Sequence, residues 1–162
     1  MGAVRFAKIM MVASLALYVL LVVFANLTDY DSNYIYLRHV VSMDTTFPGN
    51  HMMYRAITSP VLQQVMYIVI IALEAVVGAL FAYATWRLWQ ARGASDADFA
   101  AAKAPLVVGA TVAFFLWFVI FLAIGGEWFV MWQSSSWNGQ EPAFRFVVCI
   151  LLITMFVTQK EG

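Results

Sequence analysis

The sequence predicts an all-α fold, a bundle of four transmembrane helices with two structured loops on the side of the membrane opposite its termini. Three observations predict it. Hydrophobic residues make up 64% of the 162 residues and charged residues only 11%, whereas soluble domains carry about 25% charged residues. The hydrophobic residues form four long runs, and the basic residues are divided unequally between the two ends of these runs. The length suits a single integral membrane domain, residues 1–162.

The first apolar run, residues 6–25, is long enough for a membrane span. A helix of this length extends about 30 Å, the thickness of the hydrocarbon core. Lys8, near its start, is the only charge in the run, and we expect its ammonium group to reach the lipid interface. A secretory signal peptide is the alternative, but the apolar core of such a peptide is shorter, about 7–15 residues.

The second run is preceded by Ser59 and Pro60, which favour the start of a helix. Gly125 and Gly126 are expected to end the third helix. The fourth run is short, so we expect its ends to lie near the lipid headgroups. These three spans are predicted at about 65–86, 105–124 and 143–158.

The basic residues predict the orientation of the bundle. Six of them lie at the end of the spans that holds both termini: Arg5, Lys8, Arg87, Arg92, Lys103 and Lys160. Three lie at the opposite end: Arg38, Arg55 and Arg145. Because basic residues concentrate on the cytoplasmic side, the N- and C-termini are expected in the cytoplasm. Two loops, about 26–60 and 125–142, are then expected on the far side, and their length favours a specific role for them.

Glu74 is the residue within a predicted span that an anchoring role does not explain. An ionised carboxylate is costly at its depth, so we expect it to be protonated, paired or facing water. No lysine or arginine lies at a similar depth, so its partners within the chain are expected to be neutral: Ser14, Tyr18, Thr111, Trp117 or Thr154. Three roles stay open: a hydrogen bond between helices, a proton or cation site, or a contact with another chain.

Small residues recur at helical spacing on two spans and predict close helix packing. The pattern favours contacts within the bundle, with contacts to a partner protein as the alternative. The residues are Ala75, Gly78, Ala79 and Ala82 on the second helix, and Gly109 and Ala113 on the third. Cys149, the single cysteine, excludes an internal disulfide and is expected to be a small buried residue.

The first loop is predicted to contain a short interfacial helix, about Asn33–Met43, because its apolar residues recur at helical spacing. Both histidines, His39 and His51, lie in this loop. With Asp44 or Glu127 they could be proposed as metal ligands, but their spacing matches no known ligand pattern. We predict no metal and no cofactor, and we expect bound lipids.

The second loop carries Trp128, Trp132 and Trp137, a pattern typical of an aromatic belt at a lipid interface. Glu127 lies beside them. We expect it to pair with a basic residue and so to tie the two loops into one cap, with catalysis or ligand binding as the alternative. The candidate bases are Arg38, Arg55 and Arg145.

Both loops also carry a resemblance. Residues 39–49 (HVVSMDTTFPG) and 125–140 (GGEWFVMWQSSSWNGQ) resemble motifs of the bacterial predicted small integral membrane proteins classed as domain of unknown function 2165. The resemblance covers nearly the whole chain. It implies four spans and a location in the bacterial inner membrane, where the far-side loops are periplasmic, and it implies no activity and no catalytic residues.

Three functions remain. The small size, the aromatic loops and the small-residue helix faces favour a non-catalytic accessory subunit or assembly factor of a larger membrane complex, with lipids and other membrane subunits as partners. The alternative is a protein that binds a small molecule, lipid, quinone or ion through Glu74 and the loop cap. A membrane enzyme that uses His39, Asp44 and Glu127 is the weakest hypothesis, because no known catalytic motif is present. The net charge of zero and the lack of a basic tract argue against nucleic acid as a partner.

Overall fold

The computed structural model describes residues 2–161 and is built from helices. Four of them are long and apolar enough to cross a membrane, as predicted. Each extends beyond its predicted bounds, because polar residues at the ends continue the helix that the apolar run begins. The four spans are Ala3–Thr28, Pro60–Gln90, Asp96–Trp128 and Gln140–Thr158.

Shorter elements complete the chain. The third span has three parts: two α-helices that follow each other closely, and a π-helical segment that continues the second of them. Helix α1 is Ala3–Thr28, α2 is Tyr30–Ser42, α3 is Pro60–Gln90, α4 is Asp96–Ala101, α5 is Ala104–Phe114, the π segment is Phe115–Trp128, and α6 is Gln140–Thr158. Single 3₁₀ turns lie at Met53–Arg55 and Met131–Gln133.

The helix predicted in the first loop is present as α2, which begins three residues earlier than expected. It follows α1 after only Asp29, so the chain turns directly from the first span into this helix. Leu37 and Val41 form its buried face. Met43 ends it in a left-handed conformation, with φ of 55°, and Ser59 and Pro60 start α3 as predicted, with the Ser59 hydroxyl accepting from a backbone N–H of the first turn.

Gly125 and Gly126 do not end the third helix, contrary to the prediction. The helix continues to Trp128 with wider turns, in which the Phe129 N–H donates to the carbonyl of Ile124 at 3.0 Å. Both glycines are buried. A Cβ on Gly126 would lie 2.5 Å from the side-chain nitrogen of Gln140, so this glycine lets α6 approach the backbone of the third span.

Small residues bring α1, α3 and α5 together. Gly78 lies against Leu20 of α1, where a Cβ would come within 2.8 Å of a leucine methyl, and Gly109 lies against Phe81 at 2.9 Å. Ala113 is buried as well. Ala75 is half-buried, whereas Ala79 and Ala82 are exposed and lie on the outer face of α3.

Cys149 is exposed, contrary to the prediction. The buried face of α6 is formed by other residues, including Val147 and Ile150. Cys149 lies between these two positions in sequence but on the opposite side of the helix. Its thiol therefore faces the surroundings of the bundle.

A buried ionic cluster closes the end of the bundle that holds the termini. Lys8 does not reach the lipid interface as expected: it is 1% exposed, and its ammonium donates to Glu161 at 2.8 Å. Lys103 donates to the same carboxylate oxygen at 2.6 Å. Both lysines also donate to the carbonyl of Gln159, at 2.8 and 2.9 Å. The cluster joins α1, the third span and the segment after α6.

The Glu161 carboxyl is held in its charged form by this cluster. Burial alone would raise its pKa, but the hydrogen bonds and charges of Lys103 and Lys8 outweigh burial and lower the pKa below its ordinary value of 4.5. A carboxyl with a lowered pKa in the folded state stabilises that state above its unfolded pKa. The stabilisation is lost as the pH falls through the folded-state value.

We expect Glu161→Gln to destabilise the protein by about 3 kcal/mol at pH 7, because it leaves two buried lysines without their carboxylate. Thermal unfolding in detergent between pH 7 and pH 3 measures this. The melting temperature of the wild type should fall on acidification below pH 4.5, and that of the variant should change less. Glu141→Gln is the control, since its ion pair with Arg145 is solvent-exposed. Equal pH profiles for Glu161→Gln and the wild type would contradict the assignment.

Candidate functional site

A cavity of about 350 Å³ lies inside the bundle, between α1, α2, α3, the third span and α6. Its wall is mostly apolar and rich in aromatic side chains. Six aromatic residues contribute to it: Tyr36, Tyr67, Trp117, Phe121, Phe129 and Phe146. The other polar side chains that line it are Asn26, Asn33, Glu74 and Asn138. This is the composition of small-molecule sites in proteins, which combine an apolar wall with a few polar groups that orient the ligand.

Glu74 lies at the deep end of the cavity. It is 3% exposed and lies near the middle of α3, about 21 Å along the helix axis from Pro60. One of its carboxylate oxygens, Oε2, accepts a hydrogen bond from the side-chain amide of Asn26 at 2.6 Å. Asn26 belongs to the last turns of α1, so the contact joins the first two spans.

The partner of Glu74 was not among the five predicted. Ser14 and Thr111 each donate to the carbonyl four residues earlier in their own helix, at 2.9 Å. Tyr18 and Trp117 stack on Phe146 instead. The Thr154 hydroxyl is buried without a hydrogen bond in the described structure.

The sequence did contain one signal for the true partner. Asn26 is an amide placed directly after an apolar run, and polar side chains near the ends of spans commonly hydrogen-bond across helices.

A third polar side chain orients this pair. The Tyr67 hydroxyl donates to the backbone carbonyl of Asn26 at 3.3 Å and lies 3.4 Å from its side-chain oxygen. The side-chain oxygen of Asn26 therefore faces Tyr67, and the side-chain nitrogen faces Glu74. The three groups form a chain of hydrogen bonds that runs from donor to acceptor and ends on the carboxylate.

The other oxygen of Glu74, Oε1, accepts no hydrogen bond from residues 2–161, the part of the chain that the structure describes. Among the described residues, fully buried side-chain nitrogen or oxygen atoms that lack a hydrogen bond occur at Asn50 and Thr154, and Glu74 has none. Since Glu74 lines the cavity, Oε1 faces its free space. A ligand group can reach this oxygen without displacing Asn26.

Stacked aromatic rings form one wall of the cavity. Trp117 of the third span stacks on Phe146 of α6, with ring centroids 4.5 Å apart, and Phe146 stacks in turn on Tyr18 of α1 at 4.6 Å. The stack joins three spans. It presents apolar aromatic surface beside Glu74, because both Trp117 and Phe146 line the cavity.

The two loops meet over the other end of the cavity. We call residues 29–59 and 129–139 together the loop cap. The Tyr36 hydroxyl of α2 donates to the sulfur of Met131 at 3.1 Å, and the N–H of Gly139 donates to the same sulfur at 3.3 Å. A Cβ on Gly139 would overlap the Tyr36 hydroxyl, so glycine is required there. Burial raises the pKa of Tyr36 to about 12, and the hydroxyl therefore remains a donor at neutral pH.

Further contacts join the two halves of the loop cap at its surface. The Thr45 hydroxyl donates to Ser134 at 2.9 Å, and the backbone N–H of Phe47 donates to the side chain of Gln133 at 3.2 Å. Two aromatic pairs also cross between the loops. They are His39 with Trp137, stacked at 4.6 Å, and Phe47 with Trp132, edge to face at 5.8 Å.

Glu127 does not make the ion pair that the sequence led us to expect. Among the described residues it forms no salt bridge, and Arg145 pairs with Glu141 instead. Arg55 lies over the ring of Trp128 at 4.6 Å and donates to its carbonyl at 3.2 Å, so its guanidinium contacts an aromatic ring rather than a carboxylate. Arg38 is exposed. The loops are joined by hydrogen bonds and aromatic contacts, not by Glu127.

His39 pairs with Asp44 at the surface of the loop cap. Its Nδ1 lies 2.9 and 3.0 Å from the two carboxylate oxygens. His51 is exposed. In the part of the chain that the structure describes, no group of three histidine, cysteine, aspartate or glutamate residues could hold a metal ion.

Backbone strain also occurs in the loop cap. Met43 and Val130 have positive φ angles of 55° and 46°. This conformation is rare for a β-branched residue such as valine, and it persists only where surrounding contacts enforce it. Both side chains are buried, Met43 at 1% and Val130 at 3% exposed, so packing in the cap compensates for the strained turns.

The fold and the cavity can now be compared with known proteins. The family model described as predicted small integral membrane protein, DUF2165, matches residues 4–160. No curated protein and no solved structure matches the chain. The match covers nearly every residue, including both spans that hold Glu74 and Asn26 and both halves of the loop cap. The chain therefore belongs to the family of predicted small integral membrane proteins, DUF2165.

Proposed function

We propose that this integral membrane protein binds a lipophilic small molecule in the cavity, and that Glu74 and Asn26 hold the polar group of the ligand. The observation that carries the proposal is the free oxygen of Glu74, which faces an apolar space at the middle of a span. Ionisable residues inside membranes are costly and mark sites of function.

The shape of the cavity supports the same function. Its volume, about 350 Å³, lies within the range of about 300–1,000 Å³ that small-molecule sites occupy. Asn138 and Pro142 line the cavity and are exposed on the molecule, so we infer that the entrance lies beside the loop cap. The buried side chains of Met43 and Val130 pack inside the loop cap, which lies beside this entrance.

An accessory-subunit role is the second candidate, and one observation favours it. Ala72, Ala79 and Ala82 are exposed on α3. Small residues at this spacing permit close contact with a helix of another chain. Such a partner would pack on the outer face of α3, away from the cavity, so the two functions are compatible.

We further infer that the protein lies in a bacterial inner membrane with both termini in the cytoplasm. In the structure, the start of α1 and the ends of α3 and α6 lie at the same end of the bundle. The basic residues near these points are therefore close together. The positive-inside rule supports placing this end in the cytoplasm. The loop cap and the entrance to the cavity would then face the periplasm.

The first prediction concerns occupancy of the cavity. We expect protein purified in a mild detergent to retain a lipophilic molecule, detected by native mass spectrometry and in an organic extract. Ile120→Trp should reduce the retained amount at least tenfold, because Ile120 lines the cavity and the larger side chain fills it. Ile68→Trp is the matched control, since Ile68 is 53% exposed on α3. Equal retention by both variants would exclude the cavity as the site.

The second prediction concerns a partner chain. If α3 docks on another subunit, purification from native membranes should recover that subunit in stoichiometric amount, and Ala79→Trp should abolish its recovery. Ala25→Trp, an equal enlargement at an exposed position of α1, is the control. Recovery of a stable monomer without any partner would exclude the accessory role and leave the ligand proposal unaffected.

The third prediction concerns orientation. In a Cys149→Ser background, a single cysteine is introduced at Gly93, between α3 and α4, or at Ser136, before α6; both positions are exposed. A membrane-impermeant maleimide added to intact spheroplasts should label Ser136→Cys and leave Gly93→Cys unlabelled until the cells are lysed. The reverse pattern would overturn the proposed orientation.

A further inference from the structure

Among the described residues, the ionisable side chains of the cavity wall include an acid but no base. Glu74 is the only acidic side chain among the described residues that line the cavity, and no lysine, arginine or histidine lines it. The remaining polar side chains in the wall are neutral amides and tyrosine hydroxyls. A ligand that brings a positive charge would find its counter-ion here, whereas an anionic ligand would meet a carboxylate with no compensating base.

The chain of hydrogen bonds from Tyr67 through Asn26 to Glu74 also ends on an acceptor. Tyr67 donates to Asn26, and Asn26 donates to Oε2 of Glu74, so the chain directs its donors towards the carboxylate. The carboxylate oxygen without a partner, Oε1, is left for a ligand. A group with hydrogen-bond donors or positive charge is stabilised at this oxygen.

The aromatic wall favours a cation as well. Trp117 lines the cavity and stacks on Phe146 through one face only, and the face of tryptophan is the aromatic surface that attracts cations most strongly, within about 6 Å of the ring centre. Ca²⁺ and Mg²⁺ take six or more oxygen ligands, which this mostly apolar wall does not supply. An organic cation needs only one counter-ion and apolar surface for its body.

We propose that the cavity binds a lipophilic organic cation, an amine or quaternary ammonium ion carried on an aromatic or aliphatic body, with its charge at Glu74 Oε1 and its body against Trp117 and Phe146. The proposal rests on the proposed function of the cavity as a ligand site. It goes beyond that function by naming the chemical class of the ligand.

A pair of dyes tests the charge directly. The fluorescent cation N-methyl-4-(4-dimethylaminostyryl)pyridinium and its uncharged parent, 4-(4-dimethylaminostyryl)pyridine, differ by one methyl group and one charge. Binding of each dye to the full chain is measured by fluorescence titration in a non-ionic detergent, with protein-free micelles subtracted. We expect the wild type to bind the cation at least tenfold more tightly than the parent.

Two variants locate the effect. Glu74→Gln keeps the shape and removes the charge, so it should lower the affinity for the cation at least tenfold and change that for the parent by less than twofold. Ile120→Trp should weaken the binding of both dyes, because it fills the cavity. The melting temperature of each variant is recorded. If Glu74→Gln fails to fold, the wild-type preference between the two dyes still decides the proposal.

Equal binding of the two dyes by the wild type, tighter binding of the uncharged parent, or unchanged cation binding by Glu74→Gln would each overturn the cationic ligand. Absence of any cation binding to the wild type would overturn it too. None of these results overturns the cavity as a ligand site, which retention of a native lipophile and its loss in Ile120→Trp test separately.

Discussion

The close approach of α1 to α3 is the constraint on which the rest of the structure depends. Gly78 lets Leu20 approach the backbone of α3, so the two helices pack closely along this face. The register places Asn26 opposite Glu74, and Tyr67 one further step towards the loops. Because α2 follows α1 after a single residue, the position of α1 along α3 also sets where the loop cap begins. A shift of one turn, about 5.4 Å, would separate the carboxylate from its amide.

The two buried sites with ionisable groups differ in how their polar atoms are paired. At the end with the termini, two lysines and a carboxylate are sealed together and satisfied within the protein. Near the middle of α3, Glu74 has one oxygen satisfied and one directed into a cavity. Buried charges that serve only stability are normally fully paired. The half-satisfied carboxylate of Glu74 differs from these charges, and the loop cap, with its half-buried Tyr36 and strained Val130, lies over the cavity that Glu74 lines.

Much of this architecture could be predicted from sequence. Apolar runs and the positions of Ser59 and Pro60 gave the spans and the start of α3, and helical spacing gave α2. The partner of Glu74 could not be predicted, because a contact between helices depends on their register and rotation, which the hydropathy of two uniformly apolar faces does not encode. The predicted end of the third helix at Gly125 and Gly126 was wrong because it too depends on a contact between helices. Glycine ends many helices, but here Gly126 makes room for the side chain of Gln140. The two loops contact each other as expected, but hydrogen bonds and ring stacking join them where an ion pair had been expected.

The ionic cluster at Glu161 has a consequence for biosynthesis. Lys8 and Lys103 belong to the first and third spans, and their shared carboxylate follows the fourth. During vectorial insertion both lysines therefore remain without this counter-ion until α6 has entered the membrane. The first span therefore reaches its final contacts only once α6 and the segment after it are in place. Truncation after α6 would thus affect the beginning of the chain as much as its end.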